Sequence, residues 1–187
     1  MTAGRPIARY PHDKVLHAGA CPEERGTHMR VAIASDHAGF DQKGPIVKHL
    51  REEGYDVVDL GPRSGERCDY PDFGDKVGRY VASGKADRGV VICGTGLGIS
   101  MAADKVPGVR ATPVQTVQFA QLAREHNNAN VIGLSGRFVP LDTNEQIVDT
   151  FLTTEFGGGR HTGRVQKIMR EDDPSFEGVP VDFTGQE

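Results

Sequence analysis

Short β-branched apolar runs recur along the chain at 30–35 (RVAIAS), 56–60 (DVVDL), 89–93 (GVVIC), 109–113 (VRATP) and 130–134 (NVIGL). Between them the apolar positions change period, from nearly every residue to every third or fourth. Residues 41–53 put Ile46, Val47 and Leu50 on one helical face, and 73–83 do the same with Val77, Tyr80 and Val81. Residues 97–105, 115–126 (Val117, Phe119, Ala120, Leu122) and 142–155 (Ile147, Val148, Phe151, Leu152) continue the alternation, and a last helix is predicted over 160–171. Runs that are apolar on both sides, separated by amphipathic helices, predict a parallel sheet covered on both faces. Right-handed crossovers then give the fold class: α/β, a three-layer α/β/α sandwich with a five-stranded parallel sheet, Rossmann-like. The common order of five such strands, 2-1-3-4-5, is the expectation, with a switch point between the first and the third.

The periodic pattern stops at both ends. Residues 1–28 mix Pro, Gly, His and charge without a period and are expected to form a disordered N-terminal extension. The domain is expected over 29–171, opening at MRVAIAS, with 172–187 as an aperiodic C-terminal tail. Composition narrows the function classes. The chain is 37% hydrophobic and 26% charged with a net charge of −4, and its charges are interspersed, so no basic stripe invites nucleic acid. No apolar run approaches the ~18 residues that would span a bilayer, so no membrane partner is expected. The first 28 residues lack the apolar core of a secretory signal. Cys21, Cys68 and Cys93 are too scattered for a disulfide framework and show no metal-ligand spacing. A cytoplasmic protein without a metal is the expectation.

The chemistry concentrates at the predicted switch point. The first strand ends in Ser35-Asp36-His37 and the third in Cys93-Gly94-Thr95-Gly96. An acid, an imidazole and a thiol therefore meet over one crevice. The loop itself, VVICGTGLGIS, fits none of the common glycine motifs. A dinucleotide fingerprint needs G-x-G-x-x-G after the first strand; here the spacing is G-x-G-x-G, the third required position is Ile99, and the strand is the third. A phosphate-cradling Walker loop needs Gly-Lys-Ser/Thr, and a Cys-x5-Arg loop needs arginine at 99; both are absent. An anion hole remains: glycines let backbone N–H groups turn inward, and the next helix adds its positive N-terminus. The plainer alternative is a tight turn beside a small buried cysteine. A thiol at a strand's carboxyl end, facing a helix N-terminus, argues for use in chemistry.

Five stretches now stand in one order: Ser35-Asp36-His37-Ala38-Gly39-Phe40, Asp69-Tyr70-Pro71, Cys93-Gly94-Thr95-Gly96-Leu97-Gly98, Arg124-Glu125-His126-Asn127 and Gly159-Arg160-His161. Together they resemble the type B ribose-5-phosphate isomerase family, which also includes the galactose-6-phosphate isomerase subunits, and the resemblance covers residues 29–171. It implies an aldose–ketose isomerase of a sugar phosphate that uses neither metal nor other cofactor. Cys93 would move a proton between C1 and C2, while Thr95 and the amides of Gly94, Gly96 and Gly98 would hold the enediolate oxygen. His126, with Asp36, would open the furanose ring, and Asn127 would hold a sugar hydroxyl. His37, Arg137, Arg160 and Arg164 would bind the phosphate, and Tyr70 would line the sugar pocket.

Each residue also has a plainer role. Asp36 can cap its own loop, Tyr70-Pro71 can start a helix, Arg160 and Arg164 can be a solvated face, and His161 reads as structural and Cys68 as incidental. Residues 113–119, PVQTVQF, put Thr116 where many ribose enzymes carry an acidic residue, and His126 is followed by Asn127-Asn128 where Asn-Asp is common. Ribose 5-phosphate is thus the expected substrate, with a four- or six-carbon sugar phosphate, or a non-catalytic sugar-phosphate-binding module, as alternatives. His126 carries a topological inference. It ends the helix after the fourth strand, which points away from the carboxyl edge of the sheet and from its own Cys93. If both act in one reaction, the active unit is a homodimer, or a dimer of dimers, with composite sites.

Overall fold

The structure, a computed structural model, describes residues 29–179. The expectation for 1–28, and that for 180–187, fall outside the described residues. The elements run β1 (Arg30–Ser35), α1 (Phe40–Glu52), β2 (Asp56–Asp59), α2 (Tyr70–Ala82), β3 (Arg88–Cys93), α3 (Leu97–Asp104), β4 (Ala111–Pro113), α4 (Val117–Asn127), β5 (Val131–Ser135), α5 (Leu141–Thr153) and α6 (Thr162–Met169). Helix α2 begins at Tyr70, ahead of the predicted start, because Pro71 sits in its first turn, where a missing N–H leaves no bond unmade. The last helix is α-helical only over α6 and is flanked by 3-10 turns at Gly159–His161 and Arg170–Asp172.

The sheet is five-stranded and parallel, as expected, but its order is β2-β1-β3-β5-β4 and not 2-1-3-4-5. The physical reason is burial. Every residue of β5, VIGLS, is buried, whereas the three residues of β4 are half-buried or exposed and include Pro113. Proline has no N–H for a ladder on both sides, so β4 takes the edge and β5 the interior. The β1/β3 switch point is unaffected.

Because β3→β4 moves outward and β4→β5 returns, right-handed crossovers put α3 and α4 on opposite faces. On one face Ile46, Leu50, Ala120, Ile147 and Phe151 from α1, α4 and α5 pack on Ile33, Ile92 and Leu134. On the other, Val77, Val81, Ile99 and Ala103 from α2 and α3 pack on Ala34, Val91 and Cys93. Each fully buried Ile, Leu or Phe contributes on the order of 1.5–3 kcal/mol, so both layers hold the strand ends rigidly. No helix among the described residues is long and apolar enough to cross a membrane.

Candidate active site

Cys93 ends β3 and is buried at 5% exposure. The backbone N–H of Gly96 donates to its Sγ at 3.2 Å. Gly96 makes this possible by turning at φ 78°, in the left-handed region, immediately before α3. The N–H is aimed at the sulfur from the loop that opens α3. Thr95 Oγ1 accepts from the Leu97 N–H at 3.3 Å and so ties the loop to the first turn of α3. The ring of Tyr70 lies against Gly98: a Cβ there would stand 2.7 Å from Tyr70 Cε2 and Cζ. That glycine is what lets Tyr70 form a wall beside the thiol loop.

Asp36 and His37 follow β1 at the same edge. Asp36 is 5% exposed, and its Oδ1 accepts from the Ala38 and Gly39 N–H groups at 2.8 and 3.0 Å. It does cap its own loop. His37 Nδ1 lies 3.1 Å from the Cys68 carbonyl. In the tautomer that donates this bond, Nε2 is the nitrogen left for a ligand. Burial pushes the Cys68 thiol up, opposed by a backbone hydrogen bond from His37 and aided by the charges of Asp36, Asp69 and Asp72. Arg137 joins from the loop after β5. A Cβ on Gly94 would stand 3.4 Å from Arg137 Cδ and 3.5 Å from Nε and Nη1, which places the guanidinium stem against the thiol loop.

Sequence reasoning missed the support beneath this loop. Ser135, fully buried at the end of β5, donates its hydroxyl to the Gly94 carbonyl at 2.9 Å, and the Arg137 N–H donates to the same oxygen at 3.2 Å. Across a planar trans peptide the following N–H, that of Thr95, points the opposite way. Two donors on one carbonyl therefore fix one amide of the glycine loop. Asn144 Nδ2 donates to the Ser135 carbonyl at 3.0 Å and to Gln42 Oε1 at 2.7 Å, which ties α5 and α1 into the same network. The signal was available only through register: Ser135 pairs with Cys93 across the β3–β5 ladder, a pairing that the expected strand order hid.

The remaining candidates stand at the opposite edge. Arg110, just before β4, donates from Nε to the Asn128 carbonyl at 2.8 Å, and the Asn130 carbonyl accepts from Gly89 N–H, so the end of α4 lies at the amino edge. The strands separate that edge from Cys93; a six-residue strand spans roughly 16 Å. His126 and Asn127 are there. Asn127 lines a cavity of about 390 Å³ with Arg110, Phe119 and Ile168. Arg160 and Arg164 join them, because the ring of His161 between them stacks on His126 with centroids 4.2 Å apart and planes at 8°. The end of α4 is firmly held. Buried Arg124 donates from Nε to the Thr154 carbonyl at 3.1 Å and from Nη1 to Asn128 Oδ1 at 2.9 Å. Burial first, and then Arg88, push Arg124 down to about 10, with Glu155 opposing. Thr116 caps α4 by accepting from the Phe119 N–H at 3.2 Å, a structural use of a position read above for substrate choice.

One chain thus carries two separate constellations. Asp36, His37, Tyr70, Cys93, Thr95, Gly94, Gly96, Gly98 and Arg137 meet at the carboxyl edge; His126, Asn127, Arg160 and Arg164 meet at the amino edge. Asp36 and His126, expected to act together, are not brought together within the chain. Among the described residues, no three His, Cys, Asp or Glu side chains gather as a metal site.

A thiol met by a backbone N–H, and an arginine beside it, over the switch point of a doubly wound sheet define the site of an α/β enzyme. The chain belongs to the ribose/galactose isomerase family, whose model matches residues 31–168. It is 45% identical over 139 residues to ribose-5-phosphate isomerase B of Escherichia coli (strain K12), covering 74% of this chain and 93% of that protein. The solved structure of ribose-5-phosphate isomerase B of Clostridium thermocellum is similar at a TM-score of 0.76 and 51% identity, over 77% of this chain and 97% of that one. That of Mycoplasma genitalium, with bound ribulose-5-phosphate, gives a TM-score of 0.76 at 47% identity, over 79% of this chain and 100% of that one. The fold class and the reaction class expected from the sequence both hold: the chain is a sugar-phosphate isomerase of this family.

Proposed function

We propose that the chain interconverts ribose 5-phosphate and ribulose 5-phosphate, without a metal, at sites shared between two protomers. The observation that carries the reaction is the Gly96 N–H on Cys93 Sγ at the switch point, since a thiolate held there is a base with an anion hole built around it. The proton on C2 of an open-chain aldose is weakly acidic. A base removes it only if the charge left on oxygen is stabilised at once, which falls to Thr95 and the amides of Gly94 and Gly98, while the Gly96 N–H stays on the sulfur. Cys93 takes the proton from C2 and returns it to C1, while the proton of the C2 hydroxyl passes to O1, so that C2 becomes the carbonyl. General acid–base participation of this kind supplies roughly 10²–10⁴ in rate, and preorganised amides add to it.

The sugar enters as a furanose, so an acid must first protonate the ring oxygen while the anomeric hydroxyl loses its proton. His126 of one protomer, beside Asp36 of the other, has that task, and Asn127 holds a hydroxyl. His37 and Arg137 from the first protomer and Arg160 and Arg164 from the second close on the phosphate, which does not react but anchors the opened chain. The exposed Leu97, Met101 and Phe138, at 45%, 66% and 72%, rim the thiol loop and support a second protomer there. A reducing, cytoplasmic setting suits a thiol base.

The test is turnover of ribose 5-phosphate in excess chelator, with erythrose 4-phosphate and galactose 6-phosphate alongside. Turnover of ribose 5-phosphate that survives the chelator and exceeds the others upholds the reading. Turnover of another sugar alone reassigns the substrate, and activity that vanishes with chelator contradicts the mechanism.

A further inference from the structure

The Gly157-Gly158-Gly159-Arg160-His161 stretch is more elaborate than two phosphate-binding arginines require. The Gly157 N–H donates to the Glu125 carbonyl at 3.0 Å, and a Cβ on Gly157 would stand 3.0 Å from that oxygen, so the segment is laid directly on the end of α4. Gly158 and Gly159 then turn at φ 58° and 53°, in the left-handed region. The 3-10 turn that follows drops the ring of His161 onto that of His126, parallel and 4.2 Å away. The edge of the same ring faces Arg160, whose Nε donates to His161 Nε2 at 3.2 Å.

That bond defines the state of His161. A guanidinium only donates, so Nε2 is the unprotonated nitrogen and the imidazole is neutral, with its proton on Nδ1. Its surroundings agree: partial desolvation and then the positive charges of His126, Arg160 and Arg164 lower its pKa, with Glu125 opposing. The face of this neutral ring, stacked in parallel on His126, fixes the plane of the His126 ring. On its other side, tying Arg160 by Nε leaves the Nη1/Nη2 end of the guanidinium to grip a phosphate.

We propose that His161 is a positioning residue that sets the ring-opening imidazole and the phosphate grip in one register: its face holds His126 and its edge holds Arg160. This rests on the assignment of His126 to ring opening and Arg160 to phosphate given above. The two contacts are separable by substitution. His161→Phe keeps the stack and loses the acceptor; His161→Ala loses both.

The test uses two reactions of the full-length protein. One is isomerisation of ribose 5-phosphate. The other is exchange of a C1 proton of ribulose 5-phosphate with deuterated water, followed by NMR at saturating ketose. The ketose cannot close a five-membered ring, because its C5 oxygen carries the phosphate, so its exchange needs Cys93 but no ring opening. For His161→Ala, kcat on ribose 5-phosphate is expected to fall by about tenfold or more, the scale of a displaced acid–base group, with exchange within about twofold of wild type. For His161→Phe, kcat is expected within about threefold of wild type with KM raised about five- to tenfold, as for a loosened binding contact. Gel filtration checks that each variant keeps the wild-type oligomer. Equal loss of both reactions in His161→Ala, an unchanged kcat in that variant, or a kcat in His161→Phe as low as in His161→Ala overturns the proposal. Wild-type protein that exchanges the C1 proton yet gains nothing from His126, judged by an unimpaired His126→Ala variant, defeats instead the reading on which it rests, and the proposal falls with it.

Discussion

Cys93 and Ser135 face each other across one rung of the sheet, and they separate doing chemistry from positioning it. Replacing Cys93 by Ala removes the base, so turnover of ribose 5-phosphate is expected to fall by roughly 10²–10⁴ while calorimetry still registers sugar-phosphate binding through the arginines. Unchanged turnover would remove Cys93 from the role of base. Replacing Ser135 by Ala takes one of two donors from the Gly94 carbonyl and leaves the Arg137 N–H in place. A net hydrogen bond is worth about 1 kcal/mol, so kcat is expected to drop about fivefold with KM nearly constant. A raised KM at constant kcat would mean that the bond serves ground-state binding and not the oxyanion. Cys93 was legible because thiol and glycines fall together in a motif. Ser135 was not, because its partner lies 41 positions away and only tertiary pairing joins them.

At the scale of elements, α1 and α5 lie side by side on one face of the sheet, and an imidazole joins them. His49 Nε2 stands 2.7 Å from Asp149 Oδ1. Burial lowers the His49 pKa, but the hydrogen bond and charge of Asp149, aided by Glu145 and Glu53, outweigh it and leave the group raised. A raised folded-state pKa means that the native state binds this proton more tightly than the unfolded chain. The stability so gained is complete below the unfolded value of ~6.5 and is lost as pH rises through the higher folded value. Both side chains are partly exposed, so the effect is under ~1 kcal/mol. Urea midpoints followed by circular dichroism are expected to decline as pH rises through this window, and His49→Gln is expected to flatten that decline. An identical decline in the variant would assign it to other groups. The helices and most strands were legible from period alone. The strand order was not, since local pattern says little about which strand takes the edge; the fully apolar VIGLS against the proline-ended ATP of β4 was the available hint.

For the whole molecule, topology decides more than any single contact. A parallel sheet sends each crossover helix back to the amino edge, so a residue at the end of α4 and a residue at the end of β3 of one chain stand at opposite edges. That separation was legible before any coordinates, because it depends on direction and not on strand order. What brings His126 and Cys93 to one substrate in the proposed mechanism is the two-fold symmetry of a homodimer, in which each site takes its base from one protomer and its ring opener from the other. The most direct test is complementation between two inactive proteins, Cys93→Ala and His126→Ala, mixed under conditions that exchange subunits and assayed for turnover of ribose 5-phosphate. Each heterodimer contains one site with both defects and one with neither. Equal, random mixing is therefore expected to restore about a quarter of wild-type activity to two silent preparations. A mixture that exchanges subunits and stays silent would contradict the composite site, and with it the division of labour between the two edges of the sheet.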